Sequence, residues 1–416
     1  CMSLDNTSSK TPKTNPRIAQ ARGAVTFAST TFDQATARIH EFHRAISDMP
    51  LKASVKAAGK LPAAEQATSI TQTTHDIITD GVYRTVRVAG QGVFGLAQQA
   101  LAWAERALPA EKVTPNTAMD TVSAALSGAF GDHLAISKNP LAVQFGFHVE
   151  GTKVPLTAAG VTQAYPQATG KIVVFAHGLC CNEMSWQLFS EASEDGARAA
   201  HTPYAEQLAS QGFTPVFVRY NSGLHISKNG ARLAQALEKL VAQWPVPVEK
   251  VVFVGHSMGG LVSRVACAEA AKKHYVWANK ATTVICLGSP HLGAPLEKGT
   301  HVVDTVLDAF ALTRPLSKAL RSRAVGIKDL RFGATEDTDW RGRDSDEWWN
   351  GRRLPIARLP HVRYYFAGAT LGKSFDDIKG KLIGDGLVRI PSSTAQIVAD
   401  ADTAVVFSLN HMQLLN

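Results

Sequence analysis

Val251-Val252-Phe253-Val254-Gly255-His256-Ser257-Met258-Gly259-Gly260-Leu261-Val262 lies just past the middle of the 416-residue chain. An apolar, β-branched run leads into G-x-S-x-G, and an apolar-periodic helical pattern leads out. The pentapeptide alone is a weak signal; set between a strand and a helix it is a strong one. A strand turning sharply into a helix holds the serine in a strained backbone conformation and exposes its Oγ at the top of a sheet. Gly255 and Gly259 carry no Cβ that would keep strand and helix apart. The bland alternative is a serine in a tight glycine turn. The flanking pattern favours a nucleophile at Ser257.

A nucleophilic serine needs a base, and the base needs an orienting carboxylate. Behind an elbow of this kind the acid comes next in the chain and the histidine last. Gly384-Asp385-Gly386-Leu387-Val388 places an aspartate in a glycine-bounded loop. Asp402-Thr403-Ala404-Val405-Val406-Phe407-Ser408-Leu409-Asn410 reads as a final strand, with His411 directly after it. Asp376 and Asp377 are the rival acids, but Ser374-Phe375 and Ile378-Lys379 around them suggest a helix start, where a carboxylate commonly caps. Lys171-Ile172-Val173-Val174-Phe175-Ala176-His177-Gly178-Leu179 is a buried strand ending in His-Gly. The expected oxyanion donors are the backbone N–H groups of Met258 and Leu179, the second uncertain by one position. His177 is expected to fix this loop by hydrogen bonding, without transferring a proton.

Four motifs carry a family resemblance: Ala176-His177-Gly178-Leu179, Gly255-His256-Ser257-Met258-Gly259-Gly260, Gly288-Ser289-Pro290-His291-Leu292-Gly293-Ala294-Pro295 and Gly384-Asp385-Gly386-Leu387-Val388. With them, residues from about 141 onward resemble the α/β-hydrolase superfamily, in its bacterial lipase and GPI-inositol-deacylase-like serine esterase branch. The resemblance implies an α/β-hydrolase fold and ester cleavage on acylated, often lipid-like, substrates, with the Asp-Gly element supplying the acid. His291 is then expected near the site, lining the pocket or bracing its loop. Amidase, thioesterase, acyltransferase and polyester depolymerase are the rivals on the same fold. A non-catalytic binding scaffold is the rival of another class, and a complete Ser257, Asp385, His411 set argues against it.

Composition agrees with a globular enzyme. Hydrophobic residues make up 45% and charged residues 19% of the chain. The net charge of +8, from 43 Lys and Arg against 35 Asp and Glu, is spread thinly and forms no compact basic cluster. Nucleic acid is therefore not an expected partner. A small-molecule or lipid-like ester is, and the sequence leaves the oligomeric state open. No cofactor or metal is called for; five cysteines form neither a disulfide framework nor a C-x-x-C site. Cys267 and Cys286 are expected as buried free thiols, and adjacent Cys180 and Cys181 as loop packing. No signal-peptide core or membrane-length apolar run is visible, so a cytoplasmic location is the expectation, with a lipidated Cys1 as the alternative.

The expected fold class is α/β, with a mainly parallel central sheet, an N-terminal helical extension and a cap insertion. Residues 1–15 are polar and expected to be disordered. Residues 16–135 read as helical, with one-sided apolar stripes over 32–49 and 82–107 and a third helix over 117–130. Packing is the simpler use of those stripes; weak membrane-surface contact is the other. Residues 141–416 read as the hydrolase domain, in which strands and helices alternate. An insertion over 291–360 is too long for a simple connection. It holds an amphipathic piece over 302–310 and the pair Trp348-Trp349, suited to binding substrate as a cap over an acyl pocket.

Overall fold

Runs apolar at every position, 172–176 and 251–254, become the two central strands of an eight-stranded sheet. In chain order the strands are β1 Gly146–Val149, β2 Thr152–Lys153, β3 Lys171–Ala176, β4 Thr214–Arg219, β5 Lys250–His256, β6 Ala281–Leu287, β7 Arg363–Thr370 and β8 Asp402–Phe407. Their order across the sheet is β2-β1-β4-β3-β5-β6-β7-β8. From β4 to β8 every pairing is parallel, and β1 runs antiparallel to β4 and β2. Five of six residues of β3 are buried, as are six of seven of β5, as central parallel strands covered on both faces require. β1 and β2 form a hairpin, turning through Glu150 and Gly151, both at positive φ.

The computed structural model describes residues 19–33, a few positions between 88 and 99, 117–190, 201–293, 325–340, 356–374, 376–377, 384–394 and 401–415. The amphipathic piece 302–310, Trp348, Trp349 and most of both N-terminal apolar stripes lie outside these residues.

The chain divides into two compact units, one of Cys1–Thr114 with Lys138–Leu141, the other of Pro115–Ser137 with Ala142–Asn416. In the first, residues 19–33 are helical, and Asn139 Nδ2 donates to the Gly23 carbonyl at 3.1 Å. The second holds the sheet. It also holds the helix Thr117–Ile136, which the sequence pattern groups with the N-terminal segment and ends at Phe130. Phe130 is a kink (φ −134°, ψ 15°) from which the helix continues. Gly128 and Gly131 let this helix lie against Cys180 and Asn221: a Cβ on Gly128 would stand 2.1 Å from Cys180 Sγ, and one on Gly131 2.0 Å from Asn221 Oδ1.

Two helices between the strands make the main packed layer. Ile226–Ala242 buries Ile226, Gly230, Leu233, Leu237 and Leu240, at helical spacings of three and four. Each leucine so buried contributes about 1.5–3 kcal/mol. Gly230 admits the second helix, Met258–Lys273, since a Cβ there would meet Val265 at 2.4 Å. Among the described residues no helix is long and apolar enough to cross a membrane.

Candidate active site

Ser257 stands between β5 and the helix Met258–Lys273 at φ 54° and ψ −120°. A non-glycine residue in such a conformation costs on the order of 1–3 kcal/mol and persists only where its surroundings fix it. They do so through backbone contacts. A Cβ on Gly255 would lie 2.4 Å from the Gly260 nitrogen, and one on Gly259 2.0 Å from the Ala176 carbonyl oxygen at the end of β3. Ser257 N–H donates to the Leu287 carbonyl of β6 at 2.8 Å. The serine is thus wedged between three strand ends, at the C-terminal edge where open α/β sheets bind ligands.

The same edge collects the other two residues. Gly384 (φ 63°) and Gly386 (φ 95°) both take the left-handed backbone that favours glycine, and Asp385 is buried between them. Its Oδ1 accepts from the N–H groups of Leu387 (2.9 Å) and Val388 (2.7 Å). Its Oδ2 accepts from His411 Nδ1 at 2.7 Å, and His411 N–H donates back to the Asp385 carbonyl at 3.0 Å. His411 sits in the loop after β8, is 1% exposed, and has no hydrogen-bond partner on Nε2 among the described residues. Its ring faces Gly288, where a Cβ would come within 2.9 Å of Cε1. Gly288 follows Leu287, the residue holding Ser257 N–H, so the imidazole and the serine backbone both lie at the end of β6.

His256 ties these pieces together. Its Nε2 donates to the His411 carbonyl at 3.0 Å, and the two rings lie 4.8 Å apart. Burial, with the neighbouring His411 adding to it, lowers its pKa to about 3, so it stays neutral. The residue is visible in the elbow motif, but its partner lies 155 positions on and could not be read from the sequence.

Opposite the histidine lies the loop after β3. A Cβ on Gly178 would be 3.2 Å from Ser257 Cβ, which puts the next peptide beside the nucleophile. The Gly178 carbonyl accepts from His177 Nδ1 at 2.8 Å and from Cys181 N–H at 3.3 Å. In a trans peptide the N–H points opposite its carbonyl, so these bonds fix the direction of Leu179 N–H. His177 is itself locked: Tyr220 N–H donates to Nε2 at 3.3 Å, Tyr220 Oη donates to the His177 carbonyl at 2.5 Å, and the two rings stack 4.2 Å apart. Burial lowers its pKa to about 4 and keeps it neutral. The Met258 N–H belongs to the first turn of its helix, where donors have no intrahelical partner.

His291 has the contacts of a brace. It is buried, its Nδ1 lies 2.8 Å from Arg264 Nη1, and its ring meets the edge of Phe366. The rival acids stand apart from this cluster: Asp376 is exposed, and Asp377 Oδ2 accepts from Lys373 N–H within its own turn. Cys180, Cys181, Cys267 and Cys286 are buried and free, and burial raises every one of their thiol pKa values. Trp348 and Trp349, expected at the substrate, lie outside the described residues.

A serine on a strained strand-to-helix turn, parallel strands on either side of it, and a histidine after the last strand decide the fold. The chain has the α/β-hydrolase fold. Residues 166–337 match the family model described as "Putative serine esterase (DUF676)". That match includes Ser257 and stops short of Asp385 and His411. A search of curated proteins finds no match. Among solved structures, this chain is similar to a lipase-esterase related protein from Clostridium acetobutylicum (11% identity, 66% of this chain and 93% of that one, TM-score 0.33). It is also similar to an esterase from Pyrococcus furiosus (11% identity, 59% and 76%, TM-score 0.35) and to a thioesterase from Streptomyces coelicolor (15% identity, 60% and 86%, TM-score 0.33). At these scores the likenesses bear no argument about the reaction.

Proposed function

We propose that the protein is a serine esterase that cleaves carboxylic esters by two-step acyl transfer. Ser257 attacks the ester carbonyl as His411 Nε2 takes its proton. The N–H groups of Met258 and Leu179 hold the oxyanion, and Asp385 keeps the proton on His411 Nδ1 and stabilises the imidazolium. Water then attacks the acyl-enzyme, with His411 again as base. The observation that carries this reading is the imidazole of His411, fixed by Asp385 on one side and without a hydrogen-bond partner on the other among the described residues, at the sheet edge that holds the elbow serine.

The substrate class is proposed to be lipid-like, and the sequence pair Trp348-Trp349 is the candidate for acyl-chain binding. Each methylene buried by such binding contributes about 0.8 kcal/mol, so replacing both with alanine should raise KM for long-chain esters and spare acetyl esters. The reading is tested with p-nitrophenyl esters from acetate to long acyl chains. Hydrolysis by the wild type and its loss in Ser257→Ala is the expected result; undiminished turnover in Ser257→Ala would overturn it.

A further inference from the structure

One peptide beyond the Leu179 donor, the backbone does something unusual for its residue type. Cys180, buried and with a full side chain, sits in the left-handed region at φ 61°. That conformation costs about 1–2 kcal/mol for an L-residue and must be held from outside. The holder is Ser222, whose Oγ accepts from Cys180 N–H at 3.1 Å. Ser222 is 1% exposed and cannot drift. Its neighbour Asn221 accepts from Ser127 Oγ (2.7 Å) and Gly223 N–H (3.0 Å), and donates to the Gly131 carbonyl (2.8 Å). On its other side Gly326 packs so closely that a Cβ would stand 2.2 Å from the Ser222 carbonyl oxygen. Nor can Cys180 retreat, because Gly128 of the helix Thr117–Ile136 lies directly behind its Sγ and Cα.

We propose that Ser222 is a positioning residue for the oxyanion hole, its hydroxyl holding Cys180 in the turn that keeps Leu179 N–H aimed at the developing alkoxide. The proposal rests on Leu179 being an oxyanion donor in a serine esterase. His177 holds the Gly178–Leu179 peptide by its carbonyl and Ser222 holds the next peptide by its N–H, reaching across from the loop after β4, so the donor is fixed from both sides.

Full-length Ser222→Ala and Ser222→Cys test this beside the wild type and Ser257→Ala. Active sites are counted by end-point titration with a fluorophosphonate, and kcat and KM for p-nitrophenyl butyrate are expressed per titrated site. Affinity for an alkyl boronic acid, whose tetrahedral adduct occupies the oxyanion hole, is measured in parallel. Removing an oxyanion donor outright costs about 10²–10³ in kcat, so misaiming one should lower kcat about 10–100-fold in Ser222→Ala. KM should stay within about twofold, because the lost contact is made in the transition state. Boronate affinity should fall together with kcat. Ser222→Cys keeps the shape with a weaker acceptor and should lie between wild type and alanine, which guards against a packing defect in the alanine variant. Unchanged kcat per titrated site, or a fall in kcat with unchanged boronate affinity, overturns the role of Ser222. Full turnover in Ser257→Ala overturns the serine reading itself, and Ser222 with it, so the two failures are told apart.

Discussion

Among the described residues two histidine–aspartate pairs lie beyond the C-terminal ends of the strands, and only one has the form of a catalytic dyad. In His411–Asp385 a single carboxylate oxygen meets Nδ1 at 2.7 Å, and the other is saturated by two backbone N–H groups. The carboxylate cannot turn, so the imidazole cannot either, and its second nitrogen has no hydrogen-bond partner among the described residues. In His225–Asp329 both carboxylate oxygens lie 3.1 Å from Nδ1, and Oδ2 also accepts from Ile226 N–H at the start of the helix Ile226–Ala242. The His225 ring is stacked on Trp340 at 3.8 Å, and Trp340 Nε1 donates to Ser227 Oγ. Burial raises the Asp329 carboxyl pKa against the opposing pull of His225. This second pair caps a helix and fastens residues 325–340 to it. The pairs differ in what the carboxylate's further bonds do: in the first they orient it toward the imidazole, in the second they hold a helix start.

Substitution at the first pair should have the largest effect. Asp385→Asn offers His411 the wrong partner and should lower kcat by about 10³–10⁴ with the fold retained. Asp377→Asn should leave turnover unchanged; the opposite pattern in steady-state kinetics would move the acid to Asp377. His411→Ala combined with Ser257→Ala should lose little beyond either single variant, because these residues act as a unit. Additive losses would break the pairing.

A third kind of histidine sharpens the contrast, because its hydrogen bonds among the described residues are to backbone and not to a carboxylate. His177 and His256 are fully buried, and burial lowers their pKa values to about 4 and about 3. Between those values and about 6.5 the unfolded chain binds protons that the folded protein refuses. Their stabilising effect is therefore complete above pH 6.5 and is lost as pH falls, by up to about 1.4 kcal/mol per pH unit for each residue. Thermal unfolding of Ser257→Ala at pH 7 and pH 5 should show a lower Tm at pH 5; an unchanged Tm would contradict the buried neutral state of both.

At the second pair the expected loss is one of stability. Asp329→Ala strands the His225 and Ile226 donors and should destabilise by about 1–3 kcal/mol. Differential scanning calorimetry should register the fall while kcat stays near wild type. A collapse of kcat at unchanged Tm would make this pair part of the chemistry.

These pairs also mark how far the sequence could be read. Asp385 was legible because two flanking glycines announce a backbone that other residues avoid, and His411 because a strand pattern ends just before it. The central strands were legible for a similar reason: 172–176 and 251–254 are apolar without a break, which suits only strands covered on both faces. What escaped reading is long-range side-chain partnership. Ser222 meets Cys180 across 42 residues and Asp329 meets His225 across 104, and neither end carries a local signal of the other. The helix Thr117–Ile136 is legible as far as 130, and what escaped is its continuation and its packing. Its Gly128 and Gly131 weaken a helix by intrinsic propensity, and their use lies in the close approach to Cys180 and Asn221.

The central claim is that Ser257 is the nucleophile and His411 its base, and covalent capture tests it most directly. The full-length protein is treated with a fluorophosphonate, its intact mass is followed over time, and the modified peptide is sequenced. The account predicts one adduct per chain, on Ser257, absent from Ser257→Ala and formed about 10³-fold or more slowly in His411→Ala. An adduct on another residue, or labelling of Ser257→Ala at the wild-type rate, would contradict it.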